Sequence, residues 1–94
     1  MTTKKATKPV SAEIIARYFI KKAQDEDETI TNKKLQKLLY YAQAWNLALH
    51  EKPLFKEDIE AWVHGPAIRE IYLLYKKYGF HPIKAEVDTK GFKK

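Results

Sequence analysis

Residues Ile30–Gln43 read ITNKKLQKLLYYAQ, and this stretch decides the fold class. Leu35, Leu38, Leu39 and Ala42 recur at the spacing of one face of an α-helix. The stripe continues through Trp45 or Asn46 to Leu49, and Tyr41, Leu47 and Ala48 widen it. So broad an apolar face predicts a central helix, covered on more than one side. Lys33, Lys34 and Lys37 take the opposite face. Thr31 is a natural N-cap, and Ile30 and Leu35 hold the two positions of a hydrophobic staple. Pro53 marks the end, because the residue before a proline avoids helical backbone.

The same grammar recurs upstream. Val10, Ile14, Ile15, Tyr18 and Phe19 share one helical face, Ser11 is the expected cap, and Val10 and Ile15 form the staple. Glu13 suits the positive end of the helix dipole. The acidic run Asp25–Glu28 opposes the negative end, so this helix is expected to stop near Gln24. Downstream, Ile59, Ala61 and Val63 alternate with Glu60, Trp62 and His64, which reads as a short strand or extended connection. Gly65-Pro66 marks a turn, with Pro66 suited to the first position of a third helix. Ile68, Ile71, Tyr72, Tyr75 and Tyr78 are its expected buried stripe, and Gly79 its stop. Residues 80–87, FHPIKAEV, are expected to add a strand pairing with residues 58–63. The expectation is a mainly α, compact three-helix domain with a short two-stranded β element. It covers residues 10–87, between basic tails at 1–9 and 88–94.

With 94 residues, 45% hydrophobic and 32% charged, the composition is that of one soluble globular domain with a thin core. There is no cysteine, which excludes disulfides, thiolate zinc sites and cysteine nucleophiles, and fits a cytoplasmic location. No apolar run approaches the ~20 residues that cross a bilayer, so no membrane partner is expected. The net charge of +6 suggests nucleic acid until it is located along the chain. Lys4, Lys5 and Lys8 give the first nine residues +3. Lys84, Lys90, Lys93 and Lys94 against Glu86 and Asp88 give residues 81–94 +2, which leaves +1 in residues 10–80. The body is near neutral, and its only arginines are Arg17 and Arg69.

No catalytic constellation can be drawn, and no enzyme, metal or cofactor is expected. His50, His64 and His81 lack the spacing of a helical zinc site, and the Asp25–Glu28 run lacks the alternation of a calcium loop. Ser11, the only serine, is accounted for as a cap, and the three glycines form no phosphate loop. Tyr40, Tyr41, Trp45, Trp62, Tyr72 and Tyr75 are numerous enough for a stacking platform, but their helical spacing favours core packing, with a protein-binding patch as the alternative. A helix-turn-helix reading would use Asn32, Lys33, Lys34 and Gln36, yet the connection Asp25–Ile30 is longer than that motif's tight turn.

Two stretches, Ile30–Gln43 and Ile59–Pro66, together resemble the Panacea antitoxin domain, the SocA-like or phage-associated protein family. That family reads as an opening helix, an "ITN-x-KLQKLLYFAQ" helix, a "PLF-x-(D/E)-x-IEAW-x-x-GPV" connection and a helix ending near "Y-x-x-YG". This sequence supplies Tyr18-Phe19-Ile20, Pro53-Leu54-Phe55, Asp58 through Pro66 and Tyr75 through Gly79, so the resemblance covers residues 10–83. Asn32, Leu35, Gln36, Leu39, Gln43, Trp62, Gly65 and Pro66 fall in register as the structural motif. Val63-His64 stands where the family often has a charged or polar residue followed by an aromatic one, and Ala67 and Arg69 stand where it often has Val and Pro. Family members continue for several more helices, so the resemblance implies a minimal or C-terminally truncated version.

The resemblance implies an antitoxin of a toxin–antitoxin or phage-associated system, one that binds and neutralises a cognate protein toxin, with a protease-adaptor role in some members. Trp62, His64, Pro66 and Arg69 are the expected partner-binding residues. In the purely structural reading, Gly65-Pro66 sets the turn into the third helix and Trp62 anchors the core beneath it. Gln36 and Gln43 then satisfy backbone groups near that turn. The alternative function is a small DNA-binding transcriptional regulator acting through Lys33, Lys34 and Lys37.

Overall fold

Each of the first two helices begins where a hydroxyl can cap it. The computed structural model describes residues 10–84, and the tails at 1–9 and 88–94 lie outside the described residues, as do residues 85–87. Helix α1, Ala12–Asp25, starts after Ser11, whose Oγ accepts the Glu13 N–H at 3.1 Å. Glu57 adds a second cap from far along the chain, accepting the Ala12 N–H at 2.8 Å and the Ser11 hydroxyl at 3.3 Å. Helix α2, Asn32–His50, starts after Thr31, whose hydroxyl accepts the Lys34 N–H at 3.1 Å.

Helix α1 stops within a residue of Gln24, as expected. The helix continues to Asp25, and Lys21 and Lys22 each meet a carboxylate four residues on, at 2.9 Å to Asp25 and 3.0 Å to Glu26. The helix then closes with two reversed bonds, Asp27 N–H to the Gln24 carbonyl and Glu28 N–H to the Ala23 carbonyl. Asp27 takes the left-handed conformation, φ 57°, that this closure requires.

The hairpin is the main departure from the sequence reading. Strand β1, Glu60–Trp62, pairs antiparallel with β2, Gly65–Ala67, in the register Glu60 to Ala67, Ala61 to Pro66 and Trp62 to Gly65. Pro66 therefore lies in a strand and not in the first turn of a helix. A two-stranded ribbon has edges on both sides, where a missing N–H is tolerated. Gly65 has φ +123°, a backbone conformation that side chains strongly disfavour, and it lets the chain reverse after only Val63 and His64. Residues 80–84 form no strand beside β1; instead the Ile83 N–H reaches the Ile30 carbonyl at 2.8 Å.

Helix α3, Arg69–Tyr75, is short and passes into a 3-10 turn, Lys76–Tyr78. Helix α2 is central, touching α1, β2 and α3. The core draws Ile15 and Ile20 from α1, Leu35 and Leu39 from α2, Phe55 from the connection after α2, and Ile68 and Ile71 from the start of α3, with Ala12 and Ala16 wholly buried. A large aliphatic or aromatic side chain buried in this way contributes roughly 1.5–3 kcal/mol.

The expectation that α2 is covered on more than one side fails on its outer face from Tyr40 onward. Tyr40, Tyr41, Trp45, Leu47 and Leu49 are exposed, Trp45 at 69%. Of the six aromatics expected in the core only Tyr75 is buried, while Trp62 and Tyr72 are half-buried. No helix among the described residues is long and apolar enough to cross a membrane.

Candidate functional site

Two buried glutamines on the core face of α2 set the geometry of the site. The Gln36 Oε1 accepts the Ile68 N–H at 2.8 Å, and its Nε2 donates to the Asn32 Oδ1 at 2.9 Å. The Asn32 amide in turn donates to the Tyr72 carbonyl at 3.1 Å. This relay stitches the first two turns of α2 to both the start and the middle of α3. The Gln43 Oε1 accepts the Leu54 and Phe55 N–H groups at 2.6 and 3.3 Å, and its Nε2 donates to the Phe55 carbonyl at 2.9 Å. Gln36 thus serves backbone near the Gly65-Pro66 turn. Gln43 does not; it holds the connection that leaves α2. The Val10 N–H meets the Leu54 carbonyl at 3.1 Å, so the chain's entry into α1 is tied to the same connection.

On the hairpin, Glu60 and Trp62 are two residues apart and share a face. The Trp62 indole N–H donates to the Glu60 Oε1 at 2.8 Å. The Arg69 Nη2 donates to that oxygen at 2.9 Å and its Nε to the other at 3.3 Å. The Arg69 guanidinium lies 5.4 Å from the Trp62 ring centroid, and the Tyr72 ring meets Trp62 edge-on at 5.1 Å and 71°. The Trp62 hydrogen bond, and after it Arg69, holds the Glu60 carboxyl below its ordinary value. Trp62 is therefore no core anchor. It is a half-buried ring pinned upright between a guanidinium and a phenol.

A groove of about 330 Å³ opens between the start of α2, the hairpin and the end of α3. Trp62, His64 and Pro66 all line it, so three of the four expected partner-binding residues share one surface. Arg69 does not line it and acts on it through the Trp62 ring. The sequence reading missed Lys76 and Phe80 as parts of this surface, and for Tyr72 it favoured core packing over a protein-binding patch. Phe80 is 95% exposed. Its signal was its place, directly after the Gly79 stop, where no helical stripe can bury it.

No serine, threonine, cysteine, aspartate or glutamate lines the groove, which presents stacking rings, apolar contact and lysine charge. No group of three or more metal-ligating side chains occurs among the described residues. From the groove, one i, i+4 ridge of α2 runs through Lys33, Lys37, Tyr41, Trp45 and Leu49, exposed along its length.

Comparison with known proteins gives two matches. The model of the family described as "Antitoxin SocA-like, Panacea domain" matches residues 35–94. Antitoxin SocA of Caulobacter vibrioides (strain NA1000 / CB15N) is 36% identical over 70 residues, which is 74% of this chain and 37% of that protein. The chain thus spans well under half the length of this curated relative. No solved structure matches it.

Proposed function

Because the chain belongs to the SocA-like Panacea antitoxin family, we propose that it is an antitoxin that holds a protein toxin inactive by direct binding. The role is non-catalytic and is set in the cytoplasm. The observation that carries the reading is the groove, where Trp62, His64 and Pro66 meet the fully exposed Phe80. Aromatic side chains at the centre of a contact supply most of its energy, and residues placed as these are make natural anchors. Burying them against the toxin and excluding water from its working surface would inactivate it without chemistry.

The test is growth rescue. The protein encoded beside this gene is expressed with and without the chain, and survivors are examined for a co-purifying complex. Rescue with a complex supports direct neutralisation; toxicity without rescue counts against it. Phe80→Asp changes an exposed side chain and should leave stability within about 0.5 kcal/mol. It should cost the complex about 2 kcal/mol or more if Phe80 is an anchor.

Delivery of the toxin to a protease needs a second surface, and the Tyr41, Trp45 and Leu49 ridge is the candidate. A Trp45→Ala chain that still binds the toxin but no longer promotes its degradation would assign that role. Duplex binding through Lys33, Lys34 and Lys37 would instead weaken steeply between low and physiological salt.

A further inference from the structure

The groove carries a charge asymmetry that a generic apolar patch lacks. Lys33, Lys37 and Lys76 line it, and no carboxylate does. Outside the groove, Lys21 and Lys22 each have a carboxylate one turn on. Lys33 and Lys37 are also one turn apart, but as like charges, an arrangement that mildly destabilises a helix. Among the described residues none of the three groove lysines is in an ion pair. The nearest acid on the hairpin, Glu60, is already engaged by Trp62 and Arg69.

We infer that the groove takes an acidic segment of a protein partner, with one aromatic or large aliphatic side chain seated on Trp62, Pro66 and Phe80 and its carboxylates among the three lysines. The inference rests on the protein-binding reading above and names the chemistry of what that site holds. The volume, about 330 Å³, falls at the small end of ligand clefts and suits a single anchor with its flanking backbone. A nucleic-acid strand fits less well. Base stacking needs free ring faces in series, whereas Trp62 has Arg69 near its ring and Tyr72 at an edge contact.

The experiment selects a phage-displayed random dodecapeptide library on the full chain. A Lys33→Glu/Lys37→Glu/Lys76→Glu variant, checked for an unchanged melt, serves as the control. Enriched peptides should carry net negative charge around one aromatic or large aliphatic residue. They should bind the variant at least tenfold more weakly and shift the Trp62 indole N–H resonance. Neutral or basic winners, no enrichment, or equal binding to the variant would each overturn the inference. So would a labelled twelve-residue oligothymidine that binds the groove more tightly than the selected peptides. The selection uses no toxin, so its failure and a failure of growth rescue are separate results. Rescue that survives the triple variant would sink the groove chemistry and leave the antitoxin reading standing.

Discussion

Gln36 is a polar side chain placed among leucines, and it stays there because its amide is satisfied on both sides. Its oxygen takes the Ile68 N–H and its nitrogen donates to the Asn32 side-chain Oδ1. Gln36→Leu would add apolar surface yet strand a buried N–H, so it should lose about 1–3 kcal/mol in urea unfolding. The Ile68 amide should also lose hydrogen-exchange protection, and unchanged stability would refute the role. Glu60 offers a pH test in the same neighbourhood. Its folded carboxyl titrates below the ordinary 4.5, first because of the Trp62 hydrogen bond and then because of Arg69. A lowered folded value means that its contribution is complete above the unfolded value and fades as pH falls through the folded one. The Trp62 indole N–H resonance should therefore move with a midpoint below 4.5, and Arg69→Ala should raise that midpoint. The Arg69–Glu60 pair is largely exposed, so global stability should hardly change with it.

At the scale of elements, what the sequence made legible were the helix beginnings. Ser11 and Thr31 cap because short hydroxyl side chains reach N–H groups within one turn, and that geometry is local. The end of α1 was legible to within a residue, but not how it closes, because Lys21 and Lys22 offset the acidic run and Asp27 accepts a conformation better suited to glycine. Asp27→Gly should relieve that conformation and remove a carboxylate from the negative end of the helix. A gain of about 0.5–1 kcal/mol, read as a higher melting temperature, is expected. The second cap of α1 was not legible at all, since Glu57 lies 45 residues from Ala12. The Gly65-Pro66 pair misled for a related reason. Glycine followed by proline fits the opening of a helix and the second strand of a tight hairpin equally well. The choice was made by Gln36, which fixes Ile68, and not Pro66, as the point where α3 begins. Of the residues that line the groove, Trp62 and Pro66 stood out in the sequence through a motif and His64 only as a departure from it, while Lys76 and Phe80 enter only because α3 is short and the chain turns back at Gly79.

For the whole molecule, a helical stripe predicts which residues face the same way, and not whether anything is there to meet them. Phe55 and Trp45 make the contrast. Phe55 is wholly buried, although it sits in an irregular connection with no periodicity to announce it. Gln43 pins its backbone, and a parallel bridge to Val10 holds it from the other side. Trp45 lies on a well-formed helix at a stripe position, yet it is 69% exposed. A core of this size can surround only one turn after another of α2, and it runs out past Gln43. Phe55→Ala should therefore cost about 3–5 kcal/mol. For 94 residues the total is on the order of 5–14 kcal/mol, so that single change should leave much of the population unfolded on mild heating. Trp45→Ala should move the denaturant midpoint by no more than about 0.5 kcal/mol. A Trp45→Ala cost above about 2 kcal/mol would mean that this ridge is covered in solution. Cover by a second copy would then show itself as a melting temperature that rises with protein concentration. A concentration-independent melt with a small Trp45 effect leaves Tyr41, Trp45 and Leu49 as an open apolar ridge, continuous along α2 with the lysines of the groove.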